Sequence, residues 1–284
     1  MVDGAPWTMK GIAVLDSTMA GTPPAQIRAE FGPDLNTIML AIGADGGGYQ
    51  TAQSNDAIVA YVKAANAAGF WVCLSDYVPG QPQGRSGQDL ANSCTWYNRL
   101  SQDCTGLRVF WTTENEVQGP LDAMLAAVYQ AIRATGDENL IMIEPSWPNS
   151  LSPATVQNMT GVCWNIHIYP WIFQSLPKTQ AAYDQGVVSQ AQAWTNFGPS
   201  ADGTMPVVMG EGGNATSGNG GPLDDPVIDG KFATVQACIN NLGGALAGDV
   251  FWIRDWHGQG GNADTMIDGG TLTDYGQQIV AGFA

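Results

Sequence analysis

Eight short apolar runs recur along this chain, each followed by a loop rich in Gly, Asn or Pro and, in most cases, by a stretch with helical periodicity. The runs fall at 11–15, 37–42, 70–74, 108–111, 140–143, 162–168, 206–209 and 249–253, one about every 35 residues in a chain of 284. Continuous Val/Ile/Leu runs without strict polar alternation suit strands covered on both faces, as in a parallel sheet. Helical stretches at 55–68, 121–134, 180–194 and 228–242 lie between them, and the helix after the fifth run, near 153–158, is expected to be short. Asp122 and Ser150 stand where N-caps belong, and Gly69 and Gly136 where C-terminal glycines belong. Strand and helix alternating eight times specify a (β/α)8 barrel rather than an open doubly wound sheet. An open sheet would more often carry a nucleotide fingerprint in its first turn. Here the first run leads into Asp16-Ser17-Thr18-Met19, and the Gly-rich segments 43–48 and 210–221 match neither a dinucleotide nor a Walker pattern. No linker or shift of composition divides the chain, so 1–284 reads as a single α/β domain.

Charge narrows the partners. Ten Lys and Arg stand against 26 Asp and Glu, a net charge of −16. That balance leaves no broad phosphate-binding footprint, so neither nucleic acid nor an anionic membrane surface is an expected partner. No stretch approaches the roughly 20 apolar residues of a membrane span. The segment Met1-Val2-Asp3-Gly4-Ala5-Pro6-Trp7 lacks a basic region followed by an apolar run and is not a signal peptide. A mature secreted protein has the same appearance, and an extracellular monomer is expected. Of five Cys, Cys94 and Cys104 are close enough in sequence to close a small surface loop as a disulfide. Cys73, Cys163 and Cys238 lie in apolar contexts and read as buried thiols. No Cys/His cluster has zinc spacing, so neither metal nor cofactor is expected.

In a barrel of this kind the C-terminal strand ends face the active site. The fourth run leads into Glu114-Asn115-Glu116 and the sixth ends in His167-Ile168-Tyr169-Pro170-Trp171. The seventh leads into Glu211-Gly212-Gly213-Asn214, and the eighth carries Trp252 before Arg254-Asp255-Trp256-His257. Glu116 and Glu211 each follow an apolar run, and a buried unpaired carboxylate is costly. Both are therefore expected to line a wet cleft or a hydrogen-bond network. One carboxylic acid facing one carboxylate is the equipment for hydrolysing a glycosidic bond. His167 and Tyr169, two apart in a strand, point to the same side, where a phenol beside Glu211 would keep it ionised. Standing alone, His167 reads as a satisfied core histidine; as one of only two His and on one face with Tyr169, it reads equally as a site residue. Glu114 competes with Glu116, because alternation puts both on one face. Glu144, before Pro145-Ser146-Trp147, reads as a subsite residue or a helix-capping acid. Trp147, Trp171, Trp256 and Tyr77 fall in loops on the same face and are candidates to stack on pyranose rings, whereas Trp71, Trp111 and Trp194 read as packing residues. The sequons at Asn158 and Asn214 are taken as chance matches, the second falling too close to Glu211 for a glycan.

Taken in order, these strand ends resemble clan A glycoside hydrolases, most closely family 5. The residues that carry the likeness are Asn115-Glu116, His167-Ile168-Tyr169, Glu211 and Trp252. The resemblance implies that Glu116 is the general acid/base and Glu211 the nucleophile of a retaining double displacement. It implies that Asn115 bonds the sugar 2-hydroxyl, Tyr169 contacts Glu211, His167 assists near the cleavage subsite and Trp252 floors that subsite. Retention implies carboxyl groups about 5–5.5 Å apart. Two positions depart from the family pattern. Met39 stands where the second strand usually carries Arg, and the third strand ends Leu74-Ser75-Asp76-Tyr77 without a His. Asp76 or Arg254 are the candidates to substitute. The implied function is endo-acting hydrolysis of a neutral polysaccharide, such as a β-1,4-glucan or β-mannan, in a groove formed by long loops after the second, third, seventh and eighth strands. The rival is a carbohydrate-binding barrel without efficient hydrolysis, motivated by the missing Arg. An unrelated metal-dependent hydrolase would have only two His to draw on. Glu116 is expected to titrate well above an ordinary Glu. The acidic composition suggests function at low pH, where self-repulsion is relieved.

Overall fold

The computed structural model describes residues 7–44, 46–78, 84–113, 115–119, 121–145, 151–197, 200–214, 232–255 and 265–284. The apolar runs become eight strands: β1 (Met9–Leu15), β2 (Thr37–Ile42), β3 (Trp71–Asp76), β4 (Val109–Thr112), β5 (Ile141–Ile143), β6 (Val162–Ile168), β7 (Val207–Gly212) and β8 (Gly248–Phe251). They pair in parallel in chain order, and β1 pairs with β8 to close the barrel. Outside them lie α1 (Pro24–Phe31), α2 (Asn55–Ala67), α3 (Gly87–Asp103), α4 (Asp122–Arg133), α5 (Pro153–Val156), α6 (Gln180–Thr195), α7 (Ala233–Asn241) and α8 (Asp274–Phe283). The (β/α)8 barrel expected from the pattern is therefore the fold. Among the described residues no helix is long and apolar enough to cross a membrane.

Each strand is buried on both faces because two separate cores flank the sheet. Met39, Cys73, Phe110, Met142, Val208 and Val250 fill the barrel interior. Ile38, Leu40, Val72, Trp111, Trp164 and Phe251 point the other way, into the shell between sheet and helices. Trp111 and Trp194 are buried as expected, and Trp71 stacks on Phe110 at 4.7 Å and 5°.

Local signals account for the helix ends. The Ser54 side chain accepts from the Ala57 amide at the start of α2, and the Thr179 and Thr273 side chains do the same for α6 and α8. Gly69 and Gly136 adopt φ of +89° and +82°, the left-handed turn that glycine takes without strain. Asp122 does not cap its own helix, since Leu121 is the N-cap of α4. Its carboxylate accepts instead from the Ser152 amide and the Thr155 hydroxyl, which pins α5 against α4. Ser150 lies outside the described residues, as does the segment 228–231 of the helix expected there. The chain after β8 forms a two-stranded turn, β9 (Ile267–Asp268) and β10 (Thr271–Leu272), that the apolar pattern did not announce.

The expected Cys94–Cys104 bridge is not formed, and all five thiols are free. Cys94 lies within α3 and Cys104 caps its C-terminus. Ten residues at about 1.5 Å rise separate them by about 15 Å, beyond the roughly 7 Å that a disulfide spans. Cys73, Cys163 and Cys238 are buried thiols.

Asp249 of β8 is fully buried, and neither carboxylate oxygen has a hydrogen-bond partner among the described residues. Burial pushes its pKa up to about 8. An unfolded Asp titrates near 3.9, so the folded chain binds this proton more tightly, and stability falls as pH rises from about 4 to about 8. Asp249→Asn is expected to match the parent Tm near pH 4 and to exceed it increasingly up to about pH 8. Thermal unfolding followed by circular dichroism across that range checks this, and parallel curves for the two proteins would contradict it.

Candidate active site

The C-terminal ends of β3 to β8 converge on one cluster. After β4 the Asn115 amide donates to the Asp76 carbonyl at 3.2 Å, and Asn115 itself is buried. Glu116 follows at φ +45°, a left-handed conformation that costs a non-glycine residue about 1–2 kcal/mol. Its amide is held there, donating to Glu144 Oε1 at 3.0 Å. Glu144, just past β5, donates its own amide to Thr113 Oγ1 at 3.1 Å.

Asn165 and His167 of β6, and Tyr169 just past its end, alternate toward the interior. Opposite them, β7 carries a bulge: Ile166 pairs with Met209, but His167 pairs with Glu211, so Gly210 is an extra residue. Strict alternation from the inward Val208 would turn Gly210 inward and Glu211 outward. The bulge instead brings Glu211 in, level with His167. Only glycine fits at the bulge, because a Cβ on residue 210 would stand 1.8 Å from Asn165 Oδ1. On β8 the Trp252 ring stacks on Tyr77 at 4.8 Å and 18°.

His167 is the hub of the cluster. Its Nδ1 lies 2.8 Å from Glu116 Oε1 and 3.9 Å from Glu211 Oε1, and its Nε2 lies 2.8 Å from Glu144 Oε1. The Tyr169 hydroxyl donates to Glu211 Oε1 at 2.8 Å. Glu211 Oε2 has no hydrogen-bond partner among the described residues. One carboxylate oxygen from Glu116 and one from Glu211 lie within 4.8 Å of each other and of a His167 nitrogen.

Burial alone would strip His167 of its proton, but the charges of Glu211 and Glu144 and the hydrogen bonds from Glu116 and Glu144 raise its pKa well above the usual value. It stands as an imidazolium. Burial lifts Glu211 to about 7 against the pull of that cation, with the neighbouring Glu116 charge adding to the rise. Burial also acts on Glu116, but the hydrogen bond and charge of His167 outweigh it and the net shift is downward. The expectation that Glu116 titrates high is thus reversed in the free site. The cause is placement: His167 Nδ1 sits on Glu116, whose side chain is 31% exposed, while that of Glu211 is 8% exposed. Two carboxylates this close titrate as a pair, holding one proton between them near neutrality. Glu116, His167 and Glu211 would each have an atom to offer a cation. A metal ligand must be a neutral imidazole, however, and here both ring nitrogens already face carboxylates.

Asn115, Glu116, His167, Tyr169, Glu211, Trp252 and Tyr77 all meet here. Tyr77 and Trp252 are buried beneath the carboxylates rather than offered as open platforms. Trp171 is the exposed aromatic, 37% accessible and stacked on Tyr169 at 4.3 Å and 13°. Trp147, Trp256 and Glu114 lie outside the described residues. Met39 is buried in the barrel interior, and neither candidate replaces the absent Arg. Arg254 is committed to Glu30 at 2.6 and 2.8 Å, and Asp76 is ion-paired with Arg85 at 3.2 Å. Asn214 is fully buried and unavailable to a glycan. Glu144 is 4% exposed and caps no helix among the described residues, its oxygens being engaged by His167, the Glu116 amide and the Asn165 side-chain amide.

No family model and no curated sequence matches this chain. Solved structures do. A Thermomonospora fusca β-mannanase in complex with mannohexaose is similar at TM-score 0.71 and 16% identity, covering 99% of this chain and 91% of that one. A GH5 cellulase from an Icelandic hot spring isolate is similar at TM-score 0.69 and 14% identity, with 99% and 90% covered. Thermotoga maritima Cel5A, solved with mannotriose, is similar at TM-score 0.65 and 11% identity, with 98% and 97% covered. The likeness read from the strand ends is thus matched by the fold, and at these identities it is the fold that is shared.

Proposed function

We propose that this chain is a retaining glycoside hydrolase that cleaves a neutral β-linked polysaccharide. The observation that carries the reading is the pair Glu116 and Glu211, on β4 and β7 ends, with carboxylate oxygens within 4.8 Å. That proximity is nearer to the roughly 5–5.5 Å of retaining enzymes than to the roughly 6.5–9.5 Å of inverting ones. Glu211 attacks the anomeric carbon through Oε2, while Tyr169 holds Oε1 and so fixes the carboxylate plane. Glu116, the more exposed of the two, protonates the leaving oxygen with the one proton of the pair, which passes to it from Glu211 as the sugar displaces water from the site. In the second half-reaction it takes a proton from water as that water displaces the sugar from Glu211. Asn115, the neighbour of Glu116 in sequence, is assigned the contact with a sugar hydroxyl, and Trp171, exposed and stacked on Tyr169, a contact with a sugar ring.

The net charge of −16 disfavours acidic polysaccharides, leaving β-glucans and β-mannans as the substrate class. The ligands in the solved neighbours, mannohexaose and mannotriose, point the same way. Endo action and an extracellular site of work follow from the same reading. The test is reducing-sugar release from soluble β-glucans, β-mannans and xylans. Silence across the panel, with retained retardation in polysaccharide gels, would instead establish a carbohydrate-binding barrel.

The proton inventory sets the pH dependence. The first step needs one proton on the carboxylate pair, and the pair loses it as pH rises past about 7, the value to which Glu211 is lifted. On the acid side the site fails only when Glu116 also takes up a proton, below the ordinary Glu range. A kcat/KM profile is therefore expected to be broad and acid-centred, falling above about pH 7. A profile still rising at pH 8 would overturn the assignment.

A further inference from the structure

Glu144 belongs to no step of the reaction above, yet both its oxygens are engaged within the cluster. It stands beneath the cluster at the end of β5, 4% exposed, and makes three contacts with residues of two other strand ends. Oε1 lies 2.8 Å from His167 Nε2 and accepts from the Glu116 amide at 3.0 Å. Oε2 accepts from Asn165 Nδ2. A residue that bonds both the ring beside the acid/base and the strained backbone of the acid/base governs two coordinates at once. We infer that Glu144 is a positioning residue, fixing the His167 ring and the left-handed Glu116 backbone together so that Nδ1–H is aimed at the Glu116 carboxylate. The inference rests on the hydrolase reading for its kinetic consequence, but not for its geometry.

The groups facing His167 are Glu116 from β4, Glu144 from β5 and Glu211 from β7, with Tyr77 of β3 and Tyr169 of β6 beyond them. With two of three carboxylates needed for chemistry, Glu144 is the one whose charge is free to hold the imidazolium. Without it, Nε2–H has a neutral partner and the ring gives up its proton more easily.

Glu144→Gln isolates that charge. The new carbonyl can still accept from the Glu116 amide and Nε2–H. Asn165, turned over, can receive the new NH2 on Oδ1, which has no partner among the described residues. Shape is therefore retained while charge is lost. The chain has only two His, so its imidazole ¹⁵N spectrum contains His167 and one other signal. In the free parent, His167 is expected to stay doubly protonated well past the ordinary His value near 6.5. In Glu144→Gln its titration should move down by at least about one pH unit, a tenfold change in proton affinity, with the second His unmoved. On a responsive polysaccharide the variant should lose kcat at unchanged KM, with the alkaline limb of the profile displaced. Glu144→Asp, which keeps the charge on a shorter arm, should restore the His167 titration. An unmoved His167 in Glu144→Gln overturns the inference. Should Glu144→Gln fail to fold, Glu144→Asp decides: its restored titration should come with a lowered kcat, because the shorter arm cannot hold the His167 ring and the Glu116 amide together, and a parental kcat overturns the inference. The spectra are read without substrate, so failure of the hydrolase reading leaves this result standing on its own.

Discussion

Glu211→Gln is expected to abolish release of reducing ends from whichever β-glucan or β-mannan the parent cleaves, with kcat lowered on the order of 10⁴- to 10⁶-fold, as when other covalent nucleophiles are removed. The side chain keeps its shape, so Tyr169 retains an oxygen to donate to and Tm should change little. What disappears is the only oxygen positioned to form a bond to the anomeric carbon. The smaller variant Glu211→Gly sharpens the test. Added azide can enter the vacated space and attack from the nucleophile's side, giving a glycosyl azide of inverted configuration. Parental activity in Glu211→Gln would mean that another group makes the covalent bond. A parent silent on every polysaccharide, with binding retained, would identify a lectin-like barrel.

The second large effect belongs to Glu116. Glu116→Ala removes the proton donor and should slow cleavage of natural glycosidic bonds by about 10²- to 10⁴-fold, the usual worth of general acid catalysis. Aryl glycosides with a strongly acidic phenol need no protonation to depart, so their first step should be nearly spared. Their turnover should then be limited by hydrolysis of the glycosyl–enzyme, which lacks its base, and an initial burst of phenol should appear. Equal losses on poor and good leaving groups would remove Glu116 from the acid/base role. Backbone geometry supplies a control: residue 116 adopts φ +45°, a conformation alanine tolerates no better than glutamate, so the substitution introduces no new strain.

The sequence was most legible where hydropathy alone decides the structure. Strands β2 and β6 end where the apolar runs end, because the apolar residues in them pack against one of the two cores. Strands β3, β4 and β7 outlast their runs on the catalytic side. The third run stops at Leu74 while β3 continues through Ser75 and Asp76, and the seventh stops at Met209 while β7 continues through Gly212. Polarity rises there because those residues line the site, so an apolar pattern stops short of the part that matters most. Glu116, Glu211, His167 and Tyr169 were found because they stand directly at such ends. The role of Glu144 was hidden, since its partners come from strands 21 to 28 residues away and no local pattern joins them. The Gly210 bulge was hidden for a related reason: its cause is the Asn165 side chain on another strand. The Cys94–Cys104 expectation failed because spacing in sequence says nothing of distance once a helix holds the two apart.

The seam between β1 and β8 has a consequence for how the molecule comes into being. It joins Met9 to Gly248 and Ile12 to Phe251, the first strand to the last, across nearly the whole chain. Contacts of such long sequence separation carry the greatest loop-closure cost and form slowly. Until β8 docks, β1 and β7 stand as open sheet edges, the kind of surface that recruits other chains. Trp252 arrives with that last strand, its amide bonded to the Gly212 carbonyl and its own carbonyl held by the Tyr275 hydroxyl of α8. Trp252 thus reaches its place against Tyr77 in the same event that seals the barrel. The closed barrel therefore does two things at once: pairing β1 with β8 covers both open edges, and it holds Trp252 against Tyr77.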